Sequence, residues 1–354
     1  MIYRRFLIFL TILCCICQSL LGDIPLHQQS ALNIPIDGPA ALTLDTQDHL
    51  FVVEQHEYRV LRIDLKTKRI STVAGAKPSP ECVPKNKVPA KKTCLYYPTS
   101  LSVGSNGDLF IGDLNGYVRR VDVHTGIITT IHSKSSISSQ IYGLAVDKND
   151  NLFIADVRQI FELNNKDGRV KLIAGQPKYG FSGDGNAAHN AQFSFISFAV
   201  DRDNNIAIAD HDNCRIRYIE NASGIVNTIA ATESVQNCST GGSAVREPCP
   251  SDPVFDSHGN IYFIEGAMDL VLRVDAKTHA ISSVAGNGKR GFGGDGGLAT
   301  KAMLSNPSGL AIDGDGNLYI SEYVNNRIRR VDAKTGIITT IAGNGLPHRM
   351  DLSE

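Results

Sequence analysis

One stretch is repeated six times along this chain, and that periodicity leaves few folds open to it. Pro307 to Gly345 contains four short β-type runs, GLAID, NLYIS, RIRRVD and IITTIAG. They alternate or cluster apolar side chains at strand length. Between them Asp313-Gly-Asp315-Gly-Asn317 and Asp332-Ala-Lys-Thr-Gly336 supply Gly or Asn where a tight turn needs positive φ. The unit therefore reads as a four-stranded antiparallel meander. Earlier copies begin at Gly38, Pro98, Tyr142, Ser197 and Pro253, and the residue ending the first strand steps through Asp45, Gly104, Asp147, Asp201, Asp256 and Asp313. A meander this size cannot bury both of its faces alone, so neighbours must stack. A ring of six leaves no end blade uncovered, and the expected fold is all-β, a six-bladed β-propeller over 38–345.

Two flanks lie outside the repeat. The chain opens MIYRR and continues as the apolar run FLIFLTILCCICQSLLG, which reads as a secretory signal over 1–22. A short N-terminal segment, 23–37, precedes the propeller and a tail, 346–354, follows it. No later stretch is apolar enough to cross a bilayer, so no membrane span is expected in the mature chain. Loss of Arg4 and Arg5 with the leader takes the net charge from -1 to -3. Such a surface argues against nucleic acid as a partner.

The recurring pattern P-x-G-L-A-I-D, G-N-L-Y-I, N-N-R-I-R-R-V, G-I-I-T-T-I-A-G resembles the NHL repeat. The inserts GFSGDGNAAHNAQF (180–193) and GFGGDGGLATKAML (291–304) resemble connectors of extracellular and bacterial NHL proteins. The resemblance spans nearly all of 38–345 and implies a propeller that serves as a binding platform. Repeat three departs from it by lacking the Asn-Arg turn, and repeat two has Gly104 where the others carry Asp. Among six-bladed propellers, calcium lactonases and the zinc lyase of peptide amidation are also similar. They supply the alternative expectation, a metal-dependent hydrolase or lyase.

Strand alternation sorts the loops. Turns joining strands one to two and three to four share one face; the two-to-three turns and the connectors between blades share the other. Four connectors of about twenty residues, 76–97, 176–196, 231–252 and 287–306, make the second face the candidate recognition surface. Its candidate contact residues are Tyr179, Phe181, Arg290, Phe292 and His211. AAHNAQF and LATKAML have the Ala-x-x-Ala spacing of a helical turn that can pack its small face on a blade.

Cys82 and Cys94 fall in one connector and Cys238 and Cys249 in another, so local disulfides within each pair are expected. Cys214 is left as a buried or capped thiol. Asn221-Ala-Ser223 and Asn237-Cys-Ser239 are candidate glycosylation sites. No Cys-x-x-Cys spacing supports zinc.

Three further patterns invite sharper readings. Gly286-Asn-Gly288-Lys-Arg-Gly291 opens no βαβ unit, so it reads as a connector and not as a dinucleotide loop. Asp313-Gly-Asp315-Gly-Asn317 lacks the Glu that closes an EF-hand loop, Val324 standing there, so an Asx turn is preferred to structural calcium. Glu54, Asp113, Asp156, Asp210, Glu265 and Glu322 end strand two in every repeat, with Arg59, Arg215 and Arg327 five residues on, and are expected to pair with arginine or cap turn amides. Blades two, three and five lack that arginine and could leave a carboxylate unpaired. Of the histidines, His56 and His211 lie on the connector face, and no Cys/His arrangement stands out. The sequence thus points to a secreted binding or adhesion platform, free of cofactor, for an extracellular protein, peptide or glycan.

Overall fold

The computed structural model describes residues 30–76, 84–132, 140–231 and 249–347. Six four-stranded antiparallel sheets follow one another, with strands paired in chain order inside each. Their first strands are Pro39–Leu44, Pro98–Val103, Gly143–Val146, Ile196–Val200, Pro250–Phe255 and Pro307–Ile312. These line a central channel of about 300 Å³. The sixth blade, Pro307–Ile312, Leu318–Glu322, Arg327–Val331 and Ile338–Ala342, shows why each run is a strand: its second strand is buried at every position, whereas the fourth buries only alternate or end residues. A strand sandwiched between blades needs apolar side chains on both faces. The core is accordingly split into clusters between adjacent sheets, such as Phe153, Phe193, Phe198 and Ile208 between blades three and four.

The first-strand Asp makes the following turn. The Asp313 Oδ1 accepts from the Asp315 and Asn317 amides, while Oδ2 accepts from Asn317 Nδ2 and the Tyr319 hydroxyl. Its lone pairs are engaged within the turn, as the Asx reading expects. Asp45, Asp147, Asp201 and Asp256 repeat the arrangement. In blade two, where Gly104 stands instead, Asn106 Oδ1 accepts the Asp108 amide, and Asp150 of the next blade accepts from the Ser105 amide and hydroxyl.

Connectors 76–97 and 176–196 return along the outside of the blade they enter. A short strand pairs with the fourth strand there, Val88–Pro89 on Ile127–His132 and Asn186–Ala187 on Ile225–Ala231. A single 3-10 turn then starts at a fully buried alanine, Ala90, Ala188 or Ala299. The glycine ending the preceding fourth strand donates its amide to that alanine's carbonyl: Gly75 to Ala90, Gly175 to Ala188, Gly286 to Ala299. Gly286 thus belongs to this joint, as the connector reading of the glycine run requires.

The same joint closes the ring. Gly343 donates to the carbonyl of Ala31, which begins the 3-10 turn Ala31–Asn33, and Asn344 donates to Ile34. Ala31, Ile34 and Ile36 are buried against blades one and six. The segment before the first repeat therefore behaves as the second half of a connector. Blade one keeps all four of its own strands, and Ser308 and Ser321 hydroxyls donate to Pro39 and Ala40 carbonyls across the seam.

Candidate functional site

The connector face is built on the carboxylates that end strand two, five of which are almost wholly buried and the sixth, Asp156, nearly so. Three are neutralised by guanidinium groups. Glu54 meets Arg59 as expected, but Asp210 and Glu322 meet Arg217 and Arg329, seven residues on, each pair at 3.4 and 3.3 Å and wholly buried. That corrects the expected pairing with Arg215 and Arg327. Those two point outward, donate to the carbonyls of Asn213 and Asn325, and lie under the rings of Phe181 and Phe292 at 4.1 and 3.9 Å. Residues five and seven along the hairpin both lie on the acid's sheet face, Arg215 and Arg327 directly opposite it and Arg217 and Arg329 two residues on, so face alone does not choose between them.

The same two arginines pin the matched connectors. Asp184 and Asp295, from the two GDG motifs, bind Arg217 and Arg329 at 2.8 and 2.7 Å and accept from Thr228 and Thr340 on the outer strand. Gly294 packs so closely on Ala302 that a Cβ there would come within 2.7 Å of its Cα. Gly183 packs alike on Ala191. Phe181 and Phe292, 43% and 41% exposed, form lids over the buried guanidiniums and still present an outer surface. Tyr179, 50% exposed, stacks on Arg158. Arg290 is ion-paired at 3.1 Å with Asp269, a buried carboxylate that also accepts from the Asn306 amide. It is thus a structural side chain as well as a surface one.

Inside this rim, the residue before each first strand marks the channel mouth: Gly38, Tyr97, Tyr142, Phe195, Cys249 and Asn306. Four of them, Gly38, Tyr97, Phe195 and Asn306, have left-handed φ of 42° to 59°. Their carbonyls accept from the residue after the strand-two acid, as in Gln55 to Gly38 and His211 to Phe195. Tyr97 and Phe195 are exposed, with Tyr96, Met268 and Val324 beside the same mouth. Tyr58 stands edge-on to Tyr97 at 4.7 Å; its hydrogen bond to Tyr97, with burial, pushes the phenol up to about 12. At the seam of blades six and one, His56 Nδ1 is 2.9 Å from Asp37 and Nε2 is 2.6 Å from the Tyr323 hydroxyl.

His211 lies at this mouth in blade four. Its Nδ1 is 2.9 Å from Asp212, whose other oxygen accepts from the Ser194 hydroxyl. Burial pulls the imidazole down, and Asp212 and Cys249 together outweigh it, raising it to about 10. His211 and Cys249 come from adjacent blades, so no local pattern links them. Cys249 is a free thiol, whereas Cys94 and Cys214 are disulfide-bonded. The expected Cys238 to Cys249 bridge is thereby corrected, as is the assignment of the spare thiol to Cys214; Cys82 and Cys238 lie outside the described residues. So do the leader and Asn237. Asn221 is exposed in a three-to-four turn, on the face opposite the connectors.

Of the three carboxylates with no arginine five residues on, Asp113 and Asp156 accept turn amides as expected, from Asn115 and Tyr117 and from Arg158 and Gln159. Glu265 is different: it is buried, and no guanidinium or other side chain hydrogen-bonds either of its oxygens. Leu270 pairs with it across the hairpin where blades one, four and six have arginine. Burial raises it to about 7. A folded pKa above the unfolded one means the folded state holds the proton longer, so stability falls as pH rises from about 4.5 to about 7. Glu265→Gln is expected to match the parent below that window and to exceed it by about 2–3 kcal/mol above pH 7 in urea unfolding. A pH-independent difference would contradict the assignment. Among the described residues, no three His, Cys, Asp or Glu side chains converge in a metal-holding arrangement.

The model of the Teneurin NHL domain matches residues 68–169 and 281–350. Human Teneurin-1 is 24% identical over 268 residues, covering 68% of this chain and 8% of that protein. Arabidopsis thaliana Protein SUPPRESSOR OF QUENCHING 1, chloroplastic, is 26% identical over 202 residues, 53% of this chain and 19% of that protein. The chain thus spans a small part of these relatives. Among solved structures, a Bacteroides thetaiotaomicron protein of unknown function superposes with TM-score 0.63 at 17% identity, covering 85% of this chain and 71% of that one. Virginiamycin B lyase from Staphylococcus aureus gives 0.53 at 15%, covering 92% and 88%. A chain of the Nidogen/Laminin complex gives 0.54 at 13%, covering 80% and 89%. Six blades, the recurring turn chemistry and these matches define an NHL-repeat β-propeller. The chain is similar to the teneurin NHL domain within that class.

Proposed function

We propose that this chain is a secreted binding module that engages an extracellular protein, peptide or glycan through its connector face. The observation that carries the reading is the exposed aromatic set around the channel mouth, with Tyr96, Tyr97, Tyr179 and Phe195 between 41% and 50% exposed on a clamped scaffold. Rigid tyrosines contribute large contact area at small entropic cost, and with arginine they are enriched at protein interfaces. The opposite face offers tight polar turns with exposed Lys148, Arg202 and Lys277. A glycan on Asn221 would cover that side and leave the connectors open. The apolar leader and the disulfide-bonded Cys94 and Cys214 support an oxidising compartment. The likeness to a chain of the Nidogen/Laminin complex supports a platform role at the level of fold.

Tyr97→Ala and Tyr179→Ala are each expected to weaken binding of the labelled protein to cell surfaces by more than 1 kcal/mol with little change in Tm. Unchanged binding in both variants would overturn the reading. The hydrolase or lyase alternative has one supporting observation, the Asp37, His56, Tyr323 chain, and it requires a turnover that His56→Gln abolishes.

A further inference from the structure

Four blades have their outer strand capped in one way. In blades two, four and six the amides of Lys87, Gly185 and Gly296 donate to the carbonyls of Ile128, Val226 and Ile338. Three residues on, the amides of Ala90, Ala188 and Ala299 donate to Gly126, Gly224 and Gly336, and Ala31 repeats this second bond on Lys68 of blade one. Each of these alanines is buried in a socket between two blades. Ala90, for example, packs with Val60 and Ala74 of blade one and with Leu109, Val121 and Ile128 of blade two.

Blade three has the same edge and the same socket, but its connector, 133–142, is about half as long as the others. The Asn164 amide donates to the Arg169 carbonyl, so Val170 turns its own amide and carbonyl away from the sheet, as Ile338 does beside Asp332 and Ile337. Among the described residues, no amide from outside the blade donates to the carbonyls of Gly168 or Val170. Where the alanine would sit there is a cavity of about 450 Å³, lined by Leu152, Leu163, Val170 and His132. By register His132 stands in the place of Ala74, Ala174, Ala230, Ala285 and Ala342. It is 8% exposed, and its Nε2 has no hydrogen-bond partner. Arg120, ion-paired with Asp108, and Asp150, which accepts from Ser105, line the same cavity.

The charge on this edge selects its occupant. Val170, 39% exposed, stands between Arg169, which has Asp167 at 3.4 Å, and Lys171, which has no ion-pair partner among the described residues although Glu162 lies opposite it in the sheet. A second copy paired antiparallel about Val170 would set Arg169 against Lys171, and like charges across a strand pair oppose that pairing. An acidic strand meets no such repulsion, and a carboxylate seated in the cavity would restore to His132 the charge that burial disfavours. Phe161 and Leu172 occupy the register places of Arg217 and Thr228, which hold the connector Asp184 in blade four. An apolar side chain therefore fits blade three at that point.

We propose that the outer edge of blade three is a strand-addition site for an extended acidic segment of another polypeptide, which pairs with Val170 as connectors do elsewhere and seats one carboxylate against His132 Nε2. The site lies on the outer flank of the blade, apart from the aromatic channel mouth, and does not depend on it.

The probe is a fluorescein-labelled peptide with the sequence of connector 293–304 carrying Asp295→Leu and Ala299→Glu, titrated into the intact protein by anisotropy. Saturable one-to-one binding is expected, with hydrogen exchange slowed at the Val170 amide. A peptide with Gly296→Pro in addition lacks the amide that meets the Val170 carbonyl and should bind at least tenfold more weakly. Returning Glu to Ala at 299 should weaken binding about fivefold in the parent protein and less than twofold in His132→Ala. Arg169→Glu with Lys171→Glu, both on the exposed edge, should weaken it at least fivefold at unchanged Tm, a readout that stands should His132→Ala fold poorly. No saturation at millimolar peptide, equal binding of the proline peptide, or indifference to the charge reversal would overturn the proposal. So would a dimer of the parent protein that the charge reversal disperses, since the edge would then belong to a second copy of this chain.

Discussion

Arg329→Ala is expected to lower the unfolding free energy by about 3–5 kcal/mol, because it strips a wholly buried guanidinium from three partners at once. Arg329 binds Glu322 at 3.3 Å, Asp295 at 2.7 Å and the Gly293 carbonyl at 3.3 Å. Its removal leaves Glu322 buried without its counter-charge and frees the connector that Asp295 and Phe292 hold down. Arg327→Ala is the control. That side chain is partly exposed and bonds only the Asn325 and Asn344 carbonyls beneath Phe292, so about 1 kcal/mol is expected. Urea unfolding of the two variants separates the cases. Equal losses would mean that the buried pair is not what fixes the connector.

The second large effect concerns closure. Ile34→Ala and Ile36→Ala are each expected to cost about 2–4 kcal/mol, since both side chains are almost completely buried between the first and last blades. The loss should be local at first. Hydrogen exchange should accelerate at the Gly343 and Asn344 amides, which donate to Ala31 and Ile34, before it does in blade three. Uniform acceleration across all blades would show that the N-terminal segment does not close the ring.

Much of this fold was legible because its determinants are local. Asp at the end of strand one, followed by Gly or Asn, makes its own turn, and the apolar second strand declares burial between blades. The Ala-x-x-Ala spacing in both matched connectors likewise found its 3-10 turn, with Ala188 and Ala191, Ala299 and Ala302 buried. Which face carries the connectors followed from strand polarity alone. What stayed hidden depends on contacts between repeats. Arg217 and Arg329 were overlooked in favour of Arg215 and Arg327 because both members of each pair share the acid's sheet face, and the carboxylates that draw in the second, Asp184 and Asp295, come from connectors remote in sequence. Ring closure by Ala31 lacked the glycine-rich signature of the other connectors, and only the alanine followed three residues later by a buried side chain could have marked it. The His56 to Tyr323 hydrogen bond joins the first and last blades, 267 residues apart in sequence, a separation no local pattern encodes.

The most direct test of a recognition role for the connector face is a two-sided comparison. Tyr97, Tyr179 and Phe195 are changed together to Ser in one protein, and Lys148, Arg202 and Lys277 together to Ser in another. Both are titrated as fluorescent conjugates on the same cell surface, with Tm recorded alongside. The connector-face variant is predicted to bind at least tenfold more weakly, and the turn-face variant to stay within twofold of the parent. Retained binding in the first, or equal loss in both at unchanged Tm, would contradict it.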